Sequence, residues 1–281
     1  MSDPKQLPHL LRLLSDDSET VQQALLRALL EFGSTLESEL DHLKEPPTPE
    51  QRDQIKSLLS EHAKIIFLEK WPHWQECDSD EEQLESALSI LAEFQNGVSC
   101  PLTLKDLLDE LAEEYREAFA AENRNVFTLA EFLFRQKEIQ GATEDYYHPR
   151  HSNLVYVIEN KRGIPISLTC LYMLVGVRLG MAIEGCNFPQ HFLARVAVND
   201  EMLFVDCFNQ GMFYREAELL KMAQGTAAEV REILRMDANP EGIVARILNN
   251  LVTAYETQGD SAASHLMLHL LQAMTDHPGN S

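Results

Sequence analysis

The sequence predicts an α+β fold, predominantly helical with a small antiparallel sheet. Two patterns point there. Most of the 281 residues fall into amphipathic stretches whose apolar side chains recur every three or four positions, the helical spacing. One stretch departs from that spacing. His191 to Val198 (HFLARVAV) and Met202 to Phe208 (MLFVDCF) alternate with period two around a polar break led by Asn199-Asp200, a β-hairpin signal. The apolar content, 44%, suffices for a core in one large or two to three small domains.

Residues 1–100 read as a helical domain. A first helix covers Leu7 to Leu14, and Ser15-Asp16-Asp17-Ser18 breaks it. Glu19 then enters the first turn of a second helix, with Val21, Ala24, Leu25, Ala28, Leu29 and Phe32 on one face. This short-helix, acidic-turn, long-helix pattern is HEAT-like, and residues 82–94 echo it after Asp78-Ser79-Asp80. Glu45 to Pro49 is a linker, and a helix from Ile55 to Trp71 stops at Pro72. Trp71, His73 and Trp74 read as a packed corner. Gly97 to Pro101 is a second break.

Residues 101–236 read as the core domain. Leu104 to Phe119 and Phe127 to Phe134 are amphipathic helices. His148 and His151 invite a metal reading, but no cysteine or carboxylate cluster stands at ligand spacing, so no metal and no cofactor is expected. Asn153 is the expected N-cap of a helix from Leu154 to Ile158. Gly163 and Pro165 break the chain, Ser167 suits a first turn, and Leu168 to Leu179 forms a buried helix stopped by Gly180. In the hairpin, folding about Asn199-Asp200 sets His191 opposite Asp206 to within one residue, on the order of 5 Å apart at Cβ. A carboxylate beside an imidazole fixes its tautomer and raises its basicity, so a direct His191–Asp206 hydrogen bond is expected. That is two thirds of a nucleophile–His–Asp arrangement. Short helices follow at Arg215 to Met222 and Thr226 to Met236. Residues 237–281 then read as a TPR-like helical hairpin after the linker Asp237 to Pro240, turning at Gln258-Gly259-Asp260. One such unit cannot bury both faces alone. His265 and His269 lie i, i+4 but lack a Glu between them, and read as surface histidines.

The segment Tyr147 to Gly211 resembles the SirB1-type (transglutaminase-like core 2) subgroup of the transglutaminase-like superfamily. The matching stretches are Asn153-Leu154, Arg162 to Leu168 (RGIPISL), Leu179-Gly180, Asn187 to Phe192 (NFPQHF) and Val205 to Asn209 (VDCFN). The resemblance implies a papain/transglutaminase-like core and a bacterial, cytoplasmic protein. It carries Asn153, Arg162, Pro165, Asn187, Pro189 and Asn209 as motif residues. His191 and Asp206 match the family's histidine and aspartate. The nucleophile position is a departure: it falls near Pro165, with no cysteine there. Ser167 and Cys170 are the nearest candidates, and a helix N-terminus lowers a thiol pKa. Cys186 is a further thiol near His191, and Cys207 should face away from Asp206.

The remaining signals exclude several classes. There is no Walker A loop, Gly-x-Gly-x-x-Gly, Gly-x-Ser-x-Gly or His-Glu-x-x-His. A formal charge of −22, from 45 acidic and 23 basic residues, argues against nucleic acid and anionic membrane as partners and reads mainly as solubility. The five cysteines are scattered, without Cys-x-x-Cys, as in a reduced cytoplasmic protein. No signal region and no run of the ~20 apolar residues of a membrane span occur. Two readings stay open. One is a non-catalytic module that binds a protein or peptide. The other is a hydrolase or acyltransferase acting on amide or ester bonds with Ser167 or Cys170 as nucleophile, His191 as base and Asp206 as orienter.

Overall fold

The structure, a computed structural model, describes residues 3–97, 103–189, 191–222 and 225–276. Cys100, Gln190 and Pro278 lie outside them. The chain is α+β, mostly helical with a four-stranded antiparallel sheet, and forms two compact units, residues 1–73 with 93–102 and residues 74–92 with 103–281.

In the first unit, α1 (Leu7–Leu13), α2 (Glu19–Leu30), α3 (Leu36–Asp41) and α4 (Pro49–Lys70) bury Leu7, Leu11, Leu25, Leu29, Leu40 and Ile55 together. The EPPTP break ends where Thr48 caps α4 in a reciprocal box with Gln51. The six-residue α3 escapes periodicity, because it spans less than two helical turns. Phe67 on α4 stacks on Phe94, whose helix α5 (Asp80–Asn96) gives residues 80–92 to the second unit.

The second unit continues with α6 (Leu104–Ala118) and α7 (Val126–Glu131), the latter running into one π-helical turn over Phe132–Gln136. β1 (Gln140–Gly141) pairs in parallel with β2 (Arg162–Gly163), on either side of α8 (Leu154–Asn160). Then come α9 (Pro165–Arg178), β3 (Glu184–Cys186), β4 (Leu193–Val198), β5 (Glu201–Asp206) and β6 (Met212–Arg215), the strands ordered β3-β4-β5-β6. The helices α10 (Glu216–Met222), α11 (Ala227–Arg235), α12 (Pro240–Gln258) and α13 (Ser261–Asp276) complete it.

The expected hairpin is β4–β5. Val198 pairs with Glu201 across Asn199 and Asp200, both left-handed with φ of 49° and 64°, the signature of a type I′ turn. Glycine fits the second of these positions better than aspartate. Asp200→Gly is therefore expected to raise stability by about 0.5–1 kcal/mol, read as a higher urea midpoint at unchanged slope. A lower midpoint would refute this account of the turn. The hairpin carries a neighbour on each side that the sequence pattern did not reveal. β3 has three residues and a central glycine, and β6 has four, too few to show alternation. One sheet face packs Cys186, Leu193 and Phe204 on Leu219 of α10 and on Val230 and Leu234 of α11. Arg195, nearly buried, pairs with its cross-strand partner Glu184 and with Asp237 of the following linker.

Helix α9 is buried over most of its length, from Pro165 to Gly176. Proline suits its first position, where the missing N–H is no loss. Gly180, at φ 70°, ends the segment. The helical hairpin α12–α13 packs, through α12, on α9 and on the turn Pro149–Ser152. The described residues contain no helix long and apolar enough to cross a membrane.

Candidate functional site

The start of α9 and the end of the hairpin come together in the second unit. His191 lies just ahead of β4 rather than opening it, since the strand begins at Leu193. Its N–H donates to Phe188 O at 3.0 Å, so the backbone is still turning there. Asp206 closes β5, where only 5% of its surface is exposed.

The expected direct hydrogen bond between these two is not made. His191 Nδ1 stands 4.0 Å from Asp206 Oδ2, beyond hydrogen-bond reach, and has no hydrogen-bond partner among the described residues. The register explains the gap. The hairpin pairs Ala194 with Val205, which places Leu193, not His191, across from Asp206. Asp206 is held instead by Asn209, whose backbone N–H reaches Oδ1 at 3.1 Å and whose Nδ2 reaches Oδ2 at 2.7 Å. What remains between His191 and Asp206 is proximity, without the directional bond that would fix a tautomer.

The two nucleophile candidates are both enclosed. Ser167 is 1% exposed, and its Oγ accepts from Ile164 N–H at 3.0 Å. Two carbonyl oxygens lie within reach of its hydroxyl, His151 O at 2.7 Å and Ile164 O at 3.0 Å. A hydroxyl has one proton, so the shorter bond to His151 O takes it. Ser167 thus ties the turn before α8 to the start of α9. Cys170, a turn deeper, has no exposed surface, and burial pushes its thiol up to about 12. The helix N-terminus does not rescue it, because desolvation of the thiolate dominates. Burial likewise pushes Cys186 up to about 11 and raises Cys207, which lies beside Thr169.

The motif residues serve the frame. Asn153 caps α8, accepting from Tyr156 N–H at 3.2 Å, as expected. Arg162 is exposed on β2 and donates to Lys161 O. Pro189 is part-buried in the turn ahead of His191. Asn187 Oδ1 accepts from Arg246 at 2.8 Å. Pro165 and its neighbours Ile164 and Ile166 form one wall of a cleft of about 310 Å³. Tyr146, Tyr147 and His148 form another, and Phe192, Arg246 and Asn250 a third. Arg246 escaped the sequence reading. Its signal was a single basic residue within the apolar face of Ile243, Val244 and Ile247 on α12. Among the described residues no group of three or more His, Cys, Asp or Glu is placed to hold a metal ion. The rings of His148 and His151 lie 5.5 Å apart beside Tyr156.

A family profile described as the transglutaminase-like superfamily matches residues 103–249, just over half of the chain. The chain belongs to the transglutaminase-like superfamily. The match starts at the cap of α6 and runs into α12, so His148, Pro165, His191, Asp206 and Arg246 all lie inside the transglutaminase-like domain. A UPF0162 protein of Xylella fastidiosa is 30% identical over 204 residues, which cover 68% of this chain and 71% of the relative. A UPF0162 protein of Pseudomonas aeruginosa is 31% identical over 185 residues, 64% of this chain and 67% of the relative. F-box only protein 21 of Homo sapiens is 28% identical over 145 residues, 48% of this chain but 22% of that protein. No solved structure matches the chain.

Proposed function

We propose that the chain is a SirB1-type transglutaminase-like module that has exchanged catalysis for binding, and that its cleft takes a segment of a protein or peptide partner. The observation that carries this reading is Pro165 at the start of α9, where the superfamily resemblance puts the nucleophile. Proline offers neither a nucleophile nor an N–H to an oxyanion. Ser167 spends its proton on His151 O, and Cys170 is sealed in the core. The HEAT-like and TPR-like flanks suit a protein built to hold partners in a reducing cytoplasm. A hydrolase or acyltransferase reading draws on the 4.0 Å approach of His191 to Asp206, since catalytic contacts are often long in resting sites.

Reactivity separates the two. Iodoacetamide at neutral pH, followed by peptide mapping, is expected to leave Cys170, Cys186 and Cys207 unlabelled in the native protein. Their raised pKa values keep them as thiols, and thiolate is the reacting form. A fluorophosphonate is expected to leave Ser167 unmodified. Fast labelling of Cys170 or of Ser167, abolished by His191→Ala, would establish the enzyme reading in place of this one.

A further inference from the structure

Arg246 is a part-buried cation of the second unit. Acidic residues outnumber basic ones about two to one, and several arginines pair with carboxylates. Arg178 pairs with Glu85 and Asp109, Arg195 with Glu184 and Asp237, and Arg231 with Glu216. Arg246 has no carboxylate within ion-pair distance among the described residues. Its guanidinium is part-buried, hydrogen-bonded to Asn187 Oδ1 at 2.8 Å and to His191 O at 3.1 Å, and lies 5.4 Å from the centre of the Phe192 ring. Those contacts fix the plane of the fork yet use two of its five N–H groups. Burial depresses its pKa, the mark of a cation short of compensation.

This fork lines the cleft, with apolar walls at Ile166 and Ala254 and phenol rings at Tyr146 and Tyr147. The first turn of α9, which also lines the cleft, adds partial positive charge. We propose that the cleft binds a carboxylate group, with Arg246 as its charged partner and the aromatic walls holding the apolar body of the ligand. The inference rests on the binding-module reading and names the chemistry of its ligand. Carboxylate is favoured over phosphate by charge. The cleft offers one guanidinium and no lysine, and the chain already carries a net −22, so a dianion would stay half neutralised. The group can belong to a free acid or to the C-terminus of a peptide.

The test is a ¹H–¹⁵N titration of the full chain with 3-phenylpropanoate, its amide and phenyl phosphate, following the Ile166 and Phe192 amides. The acid is expected to shift both saturably and to bind at least tenfold more tightly than the amide and more tightly than the phosphate ester. Arg246→Gln is expected to cost at least tenfold in affinity. Arg246→Lys should restore part of it, which a purely structural role for the fork would not predict. Asn187→Ala, which leaves the charge in place, serves as the control should Arg246→Gln fail to fold, and is expected to weaken the acid less than fivefold. A tripeptide with a free C-terminus that outbinds the acid assigns the group to a peptide; an equal or weaker one assigns it to a free acid. Absence of saturable shifts with the acid, equal binding of acid and amide, or tighter binding of the phosphate ester would overturn the proposal. If serine and cysteine probes also stay silent, that failure leaves the non-catalytic reading intact; rapid labelling of Cys170 or Ser167 strikes the reading itself.

Discussion

Phe134→Ala is expected to remove about 3–5 kcal/mol of stability from the second unit, seen as a lower denaturant midpoint. Phe134 sits on the π-helical turn with no exposed surface, its ring 5.8 Å from that of Tyr172. Its other side seats the loop that follows Asp206. Gly211, at φ 68°, donates its N–H to Asp206 O at 3.0 Å, and a Cβ added there would stand 2.8 Å from Phe134 Cδ2 and 3.1 Å from Ala130 Cβ. Gly211→Ala is then expected to cost about 2–3 kcal/mol, part from the left-handed backbone and part from the clash. The double variant tests the link. In the Phe134→Ala background the clash with the ring is gone, so Gly211→Ala should cost about 1 kcal/mol less than in the parent. Additive effects would mean that the ring does not hold this loop.

Arg178→Met is expected to cost about 2–3 kcal/mol. The guanidinium makes a two-pronged bond to Glu85, 2.8 Å on each oxygen, reaches Asp109 at 2.5 Å and donates to Leu174 O at 3.2 Å. Its side chain is 14% exposed and that of Glu85 is 22%. Removing the cation strands a mostly buried carboxylate, which is why the effect exceeds that of a surface pair. It stays below the fully buried figure because Asp109 is half exposed. Glu85→Gln should cost less than Arg178→Met, since an amide oxygen still accepts one of the two bonds. Equal losses for the two variants would contradict this partition. A high-salt buffer should shrink the share contributed by Asp109.

These features differ in how far they could be read from residues alone. The hairpin turn was legible because Asn199 and Asp200 tolerate the left-handed backbone that a two-residue turn demands. The helix start at Asn153 was legible because capping is local, a side chain bonding an amide three positions on. The strands β3 and β6 were not, because their residues gain meaning only from a neighbouring strand. The His191–Asp206 distance fell between these cases. The hairpin brings the two near, but one residue of register, and two positions of chain before β4, decide between a hydrogen bond and a gap. The role of Asn209 stayed hidden behind the same expectation, since the carboxylate it holds had been given to the histidine. Arg246 is the clearest case of non-local meaning: it reads as one basic residue on an amphipathic helix, and only packing sets it against Phe192.

The reach of α12 back to His191 also bears on the order in which the molecule takes shape. A ribosome releases the hairpin and α9 well before Arg246. During that interval His191 O and the Phe192 ring await their capping cation, and the apolar side of α9 that receives α12 is open to water. The cleft is therefore among the last parts of the second unit to exist.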